Sequence, residues 1–283
     1  MLAVSDSNTA VDNLVEGLAR AGVRVVRVGR PEAVRPDLLP FALEHASGAV
    51  PLPGAHGGGG GFARSRDEQR RLQRDCLAHA QVVCATCTGA GADAFERLSF
   101  PAVLLDEAAQ ATEPAALVPL CSGCRRLVLA GDHAQLPPTI LSREAASGGL
   151  AVSLFERLAR VGVAPFLLDT QYRMHPALAA FPSARFYGRR LRSGTPASQR
   201  APPRGFPWPL PGVPLAFVSV FGAERSEGTS HVNAAEADAV AHVVRGLLAG
   251  GELRPIDIGV VRAGSGVITP RLLFASHPIS FSR

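Results

Sequence analysis

Lysine does not occur once in the 283 residues; all 29 basic side chains are arginine. The chain therefore holds no motif with an obligatory lysine. The arginine, alanine, glycine and proline richness that accompanies this absence suggests a GC-rich coding bias, so the arginine count alone carries no functional weight. Charged residues are sparse at 19%, and aromatics reach only 6%, with two tyrosines and one tryptophan. No apolar run approaches the roughly 18 residues that a membrane span needs, which excludes a transmembrane protein. The opening MLAVSDSNTA has neither the basic nor the apolar region of a secretion signal, so a cytoplasmic or nuclear address is expected. Five cysteines are too few and too clustered for a secreted disulfide framework. Two CxxC pairs stand at Cys84–Cys87 and Cys121–Cys124, but 33 residues lie between them, against roughly 15–20 in compact zinc ribbons. Cys84 also sits inside an apolar run, where a core thiol is the simpler reading.

What remains is an ordinary globular composition, 47% apolar, with 29 glycines and 23 prolines that suggest folded blocks joined by loose connectors. A net charge of +5 mildly favours an anionic partner and falls short of a dense basic footprint. Residues 8–21 space Val11, Leu14, Val15 and Leu18 as one helical face. Strand-like runs follow at 23–29, 81–85, 102–105, 127–130, 166–168, 215–220 and 256–261. Helical patterns lie between several of them, including 153–160 and 234–248. Strands alternating with helices predict an α/β fold with a mostly parallel sheet. Residues 47–61 end in five consecutive glycines and read as a connector, and 196–214, with seven prolines, as a surface excursion. The arginine-rich stretch 64–74 reads as a solvated helical face.

In a parallel sheet, ligands bind beyond the carboxyl ends of the strands, so the residues closing each apolar run carry the chemistry. The run 102–105 leads directly into Asp106 and Glu107. An acidic pair there suits nucleotide hydrolysis, one carboxylate holding Mg²⁺ and the other polarising water. The next run ends in GDHAQLPP (131–138), where Gln135 can donate to a phosphate and accept from a water; a polar turn sealed by Pro137 and Pro138 is the plainer alternative. The segment QYRMHP (171–176) sets Tyr172, which can stack on a base, beside Arg173, which can stabilise charge on a phosphoryl group. His175, preceding a proline, reads as structural.

Together, DEAAQ, GDHAQLPP and QYRMHP in this order and spacing resemble superfamily 1 helicases, and within them the 1B group of up-frameshift, nonsense-transcript-regulator and immunoglobulin-mu-binding helicases. The likeness extends from the first residues to about Val261. It includes SDSNTAVDNL (5–14), CATCTGAG (84–91), LLDEAAQATEP (104–114), SLFERL (153–158), FPSARFYGRRLRSG (181–194) and GTSHVNAAEA (228–237). The resemblance implies two RecA-like P-loop NTPase domains with mostly parallel sheets, one over 1–168 and the start of the second over 169–283, both incomplete. It implies ATP and Mg²⁺ as cofactors and single-stranded RNA or DNA as partner. Residue by residue, Asp106 is the implied Mg²⁺-binding acid and Glu107 the catalytic base, while Gln135 couples the γ-phosphate to domain movement. Tyr172 is the implied adenine platform and Arg173 the arginine finger. Ser7, Asn8 and Thr9 match one nucleic-acid-contacting motif, and Thr86 and Thr88 lie in another. Ser7 serves equally well as a helix cap.

The chain departs from the family's pattern in three places. The phosphate loop GxxxxGK[ST] that precedes SDSNTAVDNL in the family is not among the 283 residues. The final stretch RAGSGVITPRLLFASHPISFSR matches no further family motif, and the helical insertion of many members is reduced to the glycine-rich segment. The expectation is the central part of an ATP-dependent helicase, weak toward nucleotide by itself. The alternative from a different class is a non-catalytic fragment that binds single-stranded nucleic acid.

Overall fold

A computed structural model describes residues 1–48, 65–96, 98–227 and 230–261. The chain divides into two compact units, Met1–Pro165 and Phe166–Arg283. The glycine run 57–61 and the unmatched stretch 262–283 lie outside the described residues.

The first unit is built on strands β1 (Leu2–Ser5), β2 (Val25–Arg27), β3 (Val82–Thr86), β4 (Ala102–Asp106) and β5 (Arg126–Leu129). They form one sheet in the order β2-β3-β1-β4-β5, with every pairing parallel. β1 is the middle strand and is buried along its whole length, as a parallel strand covered on both faces must be; it is not among the runs expected as strands. Its side chains still divide between the faces. Leu2 and Val4 join Val26, Val83, Ala85, Val103 and Leu105 in one apolar core, while Ala3 joins Val25, Val82 and Cys84 in the other.

Helix α1 (Asn8–Arg20) covers the second core with Val11 and Val15. The short α2 (Leu43–Ala46) and the longer α3 (Arg66–His79) follow, and Leu43 and Leu77 close on the first core. Arg70, Arg71 and Arg74 of α3 are exposed, as a solvated face requires. Beyond β4 come α4 (Glu113–Leu117), capped by Thr112, and, after β5, α5 (Arg143–Ala145) and α6 (Leu154–Arg160), capped by Ser153. Arg157 of α6 grips the Glu113 carboxylate through Nε and Nη2 at 2.6–3.0 Å, a bidentate pair that ties the end of the unit to the helix following β4.

In the second unit β6 (Thr170–Gln171) pairs in parallel with β7 (Arg192–Ser193), and α7 (Pro176–Phe186) lies between them in the chain. A hairpin of β8 (Glu224–Glu227) and β9 (Ser230–Asn233) leads into α8 (Ala234–Ala249), whose N-terminus Asn233 caps. The proline-rich stretch 196–214 contains one 3-10 turn, Ala197–Arg200, and is pinned locally by Trp208 Nε1 donating to the Pro203 carbonyl at 2.7 Å. Among the described residues no helix is long and apolar enough to cross a membrane.

Three runs expected as strands are not strands. Residues 166–168 and 215–220 pair with no strand, with Phe166 100% and Phe217 91% exposed, and Ile256 lies in the 3-10 turn Pro255–Asp257. An apolar run becomes a strand only when a neighbouring strand pairs with it, and none of these runs has such a partner among the described residues.

The core assignment makes a direct prediction. Fully buried Leu105, truncated in Leu105→Ala, should lower the free energy of urea unfolding by about 2–5 kcal/mol. Leu141→Ala, at an exposed position, should leave it within about 0.5 kcal/mol.

Candidate functional site

Parallel pairing brings the carboxyl ends of the central strands to one rim. In register, Ser5 of β1 stands opposite Thr86 of β3 on one side and Asp106 of β4 on the other. Neighbouring strands lie about 4.8 Å apart, so the loops that start here begin within about 10 Å of one another.

The loop after β4 carries the acidic pair. Asp106 is half-buried, and its Oδ1 accepts from the Glu107 backbone N–H at 3.0 Å. Glu107 holds φ at 53°, left-handed backbone that costs a non-glycine residue on the order of 1–3 kcal/mol. Its Oε2 accepts from Gln110 Nε2 at 2.8 Å, which fixes the carboxylate and leaves Oε1 toward solvent. The loop after β5 is sewn against it by Ala108 N–H donating to the Ala130 carbonyl at 2.8 Å. Gly131 makes this approach feasible, because a Cβ there would stand 2.9 Å from the backbone nitrogens of both Ala108 and Ala109. Gln135 follows in the same loop, exposed, with Nε2 donating to Asp132 Oδ2 at 2.9 Å. Asp132 Oδ1 accepts from Ala134 N–H at 3.0 Å, so one aspartate organises the whole turn.

On the same rim, Ser7 caps α1, its Oγ accepting from the Ala10 N–H at 3.2 Å. That bond uses the hydroxyl as acceptor and leaves its proton to donate elsewhere. Asn8 and Thr9 are exposed in the first turn of α1. Thr86 Oγ1 accepts from Gly89 N–H at 3.0 Å, and Thr88 is exposed. Asp6 between these groups has its carboxyl raised above the usual value by burial. Burial likewise pushes the Cys84 and Cys87 thiols up to about 12, with the Asp6 charge adding to the effect at Cys87. Both are core thiols.

In the second unit, the turn after β6 presents Tyr172 and Arg173. Gln171 shapes it: Oε1 accepts from Arg173 and Met174 N–H at 3.0 and 2.7 Å, and Nε2 donates to Ser193 Oγ at 2.8 Å. The Tyr172 carbonyl accepts from Thr195 Oγ1 at 3.0 Å and Arg200 Nη2 at 3.1 Å, and Arg200 Nε donates to the Arg173 carbonyl at 3.0 Å. The Tyr172 ring lies directly over Gly194, where any side chain would collide with it, and is 65% exposed. His175 is buried and caps α7, with Nδ1 accepting from Ala177 N–H at 3.0 Å.

Asp106, Glu107, Gln135, Ser7, Asn8, Thr9, Thr86 and Thr88 thus belong to the first unit, and Tyr172 and Arg173 to the second. Sequence reasoning marks Gly131 as the residue that lets the chain turn sharply at the strand end, but it overlooked the others that hold them, namely Gln110, Asp132, Gly194 and Arg200. Gln110 and Asp132 carried a usable signal, since each lies three residues along a turn from the group it holds. Nothing in the pattern marks Gly194 or Arg200.

Two family models, each described as an AAA domain, match residues 62–143 and 150–269. The chain is 38% identical to the "Regulator of nonsense transcripts 1 homolog" of Neurospora crassa over 94% of its own length and 26% of that protein's. It is 37% identical to the "ATP-dependent helicase NAM7" of Saccharomyces cerevisiae over 94% of its length and 29% of that protein's. The homologue in Drosophila melanogaster gives 38% identity over 94% of the chain. The chain spans about a quarter of the length of these curated relatives.

Two predictions follow from this geometry. Gly131→Ala should cost about 1–3 kcal/mol in thermal or urea unfolding, because the added methyl meets backbone that can move only by parting the two loops. The buried thiols give a pH dependence. Their folded values near 12 exceed the ordinary 9.0, so the stability that burial of the neutral thiol confers is complete below pH 9. It is lost as pH rises from 9 toward 12, and Cys84→Ala,Cys87→Ala should flatten the alkaline limb of the stability profile.

Proposed function

The chain belongs to the superfamily 1 helicases of the up-frameshift type, and from that membership we propose that it is the central part of an ATP-dependent helicase acting on single-stranded RNA or DNA. The observation that carries the reading is the paired carboxylates of Asp106 and Glu107 at a parallel strand end, the second held by Gln110 and by strained backbone. Strain of this kind persists where the surroundings over-determine it, and such places cluster at reacting centres.

The residues fit a Mg²⁺-nucleotide in part. Asp106 keeps Oδ2 free of any protein partner among the described residues, a hard oxygen donor of the type Mg²⁺ takes. Bound Mg²⁺ supplies charge neutralisation on the phosphates. Glu107 Oε1 is placed to accept a proton from an attacking water, while Gln110 keeps the carboxylate from turning away. Gln135 has one amide N–H and its Oε1 left after bonding Asp132, enough to donate to a phosphate oxygen and accept from a water together. The exposed Tyr172 ring, backed by Gly194, offers a flat face to a base, and Arg173 a planar cation to a phosphate. Ser7, Asn8, Thr9, Thr86 and Thr88 contact the strand backbone. In this reading the first RecA-like domain runs to about residue 168 and the second begins there.

A second reading, strand binding without turnover, is favoured by the exposed Asn8, Thr9 and Thr88, polar groups that suit backbone contacts and take no part in hydrolysis. It requires salt-sensitive binding, its slope set by the phosphates contacted, and no ATP hydrolysis.

The deciding experiment is phosphate release by the full-length protein with and without single-stranded nucleic acid. Glu107→Gln should lower the stimulated rate by about 10²–10⁴-fold while strand binding persists. A rate equal to that of the unsubstituted protein overturns the assignment.

A further inference from the structure

Arg27 closes β2 with its side chain entirely buried, an uncommon place for a guanidinium. Its Nε donates to Asp12 Oδ1 at 3.2 Å, Nη1 to the Val28 carbonyl, and Nη2 to Asn8 Oδ1 at 2.8 Å. Asp12, buried in α1, is held in turn by the Arg35 backbone N–H at 2.9 Å to Oδ2. The network runs from the interior outward and ends on Asn8, an exposed residue of the first turn of α1.

Arginine has donors only, so the amide atom that faces Arg27 must be the Asn8 oxygen. This fixes which way round the amide stands. Oδ1 is held inward, and the Nδ2 group, with two N–H donors, is the half left to solvent at the rim where the strand-contacting residues gather. Packing does not require the arrangement. A buried ion pair is replaceable by apolar groups at little or no cost in stability, and the outward bond to Asn8 is the part that serves no core contact.

We propose that Arg27 is a positioning residue for strand binding, acting through Asn8: by occupying Oδ1 it presents the Nδ2 N–H groups as donors to a phosphodiester oxygen. The inference rests on the proposed strand contact of Ser7, Asn8 and Thr9 and adds the group that orients it. A donor aimed at the phosphate positions a strand without reading its bases, so the effect is the same for any sequence.

The test uses the 283-residue chain and a fluorescein-labelled single-stranded oligouridylate, with anisotropy for binding and thermal melting for the fold. Asn8→Asp retains an acceptor for Arg27 but sets a carboxylate oxygen where the donor stood. It should weaken binding by about tenfold or more, the scale of a lost charge-assisted hydrogen bond, with no fall in melting temperature. Arg27→Lys keeps the charge opposite Asp12 but not the fork that spans three acceptors. It should weaken binding in the parent chain and have no further effect in an Asn8→Ala background. Equal weakening in both backgrounds makes Arg27 merely structural and overturns the proposal, as does Asn8→Asp binding like the parent. Should Arg27→Lys fail to fold, Arg27→Gln, which keeps an N–H donor, takes its place in the same two backgrounds, with the same result expected and the same result overturning the proposal. A parent chain that does not bind the oligonucleotide overturns the strand-contact reading itself, and the positioning role with it.

Discussion

Parallel pairing of β1 with β3 on one side and β4 on the other is the constraint on which the first unit depends. In an antiparallel sheet the ends of adjacent strands point in opposite directions, and Ser7, Thr86 and Asp106 would be dispersed. With every strand parallel, each chain segment that leaves the sheet at its carboxyl end leaves from the same rim. The cost is that both faces must be covered, which is why β1 has no polar face and why α1 on one side and the residues around Leu77 and Phe95 on the other close two separate cores.

Position on the rim does not by itself orient a side chain, and the second layer of the structure consists of polar groups that do. Several of the residues proposed to act on a ligand are held by a neighbour that is not: Glu107 by Gln110, Gln135 by Asp132, Asn8 by Arg27, and the Tyr172–Arg173 turn by Gln171 and Arg200. The two glycines that matter, Gly131 and Gly194, act differently, by letting backbone or ring come closer than any Cβ permits. Preorganisation of this kind is what allows a donor or acceptor to meet a reacting group without reorganising at that moment.

The division between what the sequence discloses and what it hides follows the same two layers. Strands β2 to β5 and helices α1, α6 and α8 are legible because burial on a periodic lattice leaves a periodic trace, as with Val11 and Val15 or the run into Asp106, whereas the four-residue β1 is not among the runs that read as strands. The residues proposed to act draw attention in the sequence because they sit where such runs end. The run at 166–168 misleads for a converse reason: its apolar residues have strand character, but strandness is a property of a pair, and the partner is not written in the run itself. Arg200 is hidden because its bond to the Tyr172 carbonyl joins positions 28 apart in the chain and no local pattern encodes it, whereas Gln110 and Asp132 act within one turn. Arg27 is the intermediate case. A charge inside VRVVRVG is visible as an anomaly, yet the sequence cannot say that it faces inward, nor that Asn8 is at the end of its reach.

The all-arginine composition has a different meaning at different sites. Where a cation must serve several acceptors at once, the planar fork is the better tool: Arg27 reaches a carboxylate, a carbonyl and an amide from one buried position, and Arg157 clamps Glu113 with two nitrogens. A lysine, as a single compact ammonium on a flexible stem, could not span those acceptors in fixed directions. Holding a phosphate chain inside a loop of backbone N–H groups makes the opposite demand, for a slim stem and a point charge that enters without displacing the loop. A coding bias that converts every lysine to arginine is therefore neutral on a helix face such as that of α3 and favourable at Arg27. The buried fork of Arg27 and the exposed arginines of α3 are two consequences of one compositional fact, and only the side-chain geometry distinguishes the site that gains from the site that is indifferent.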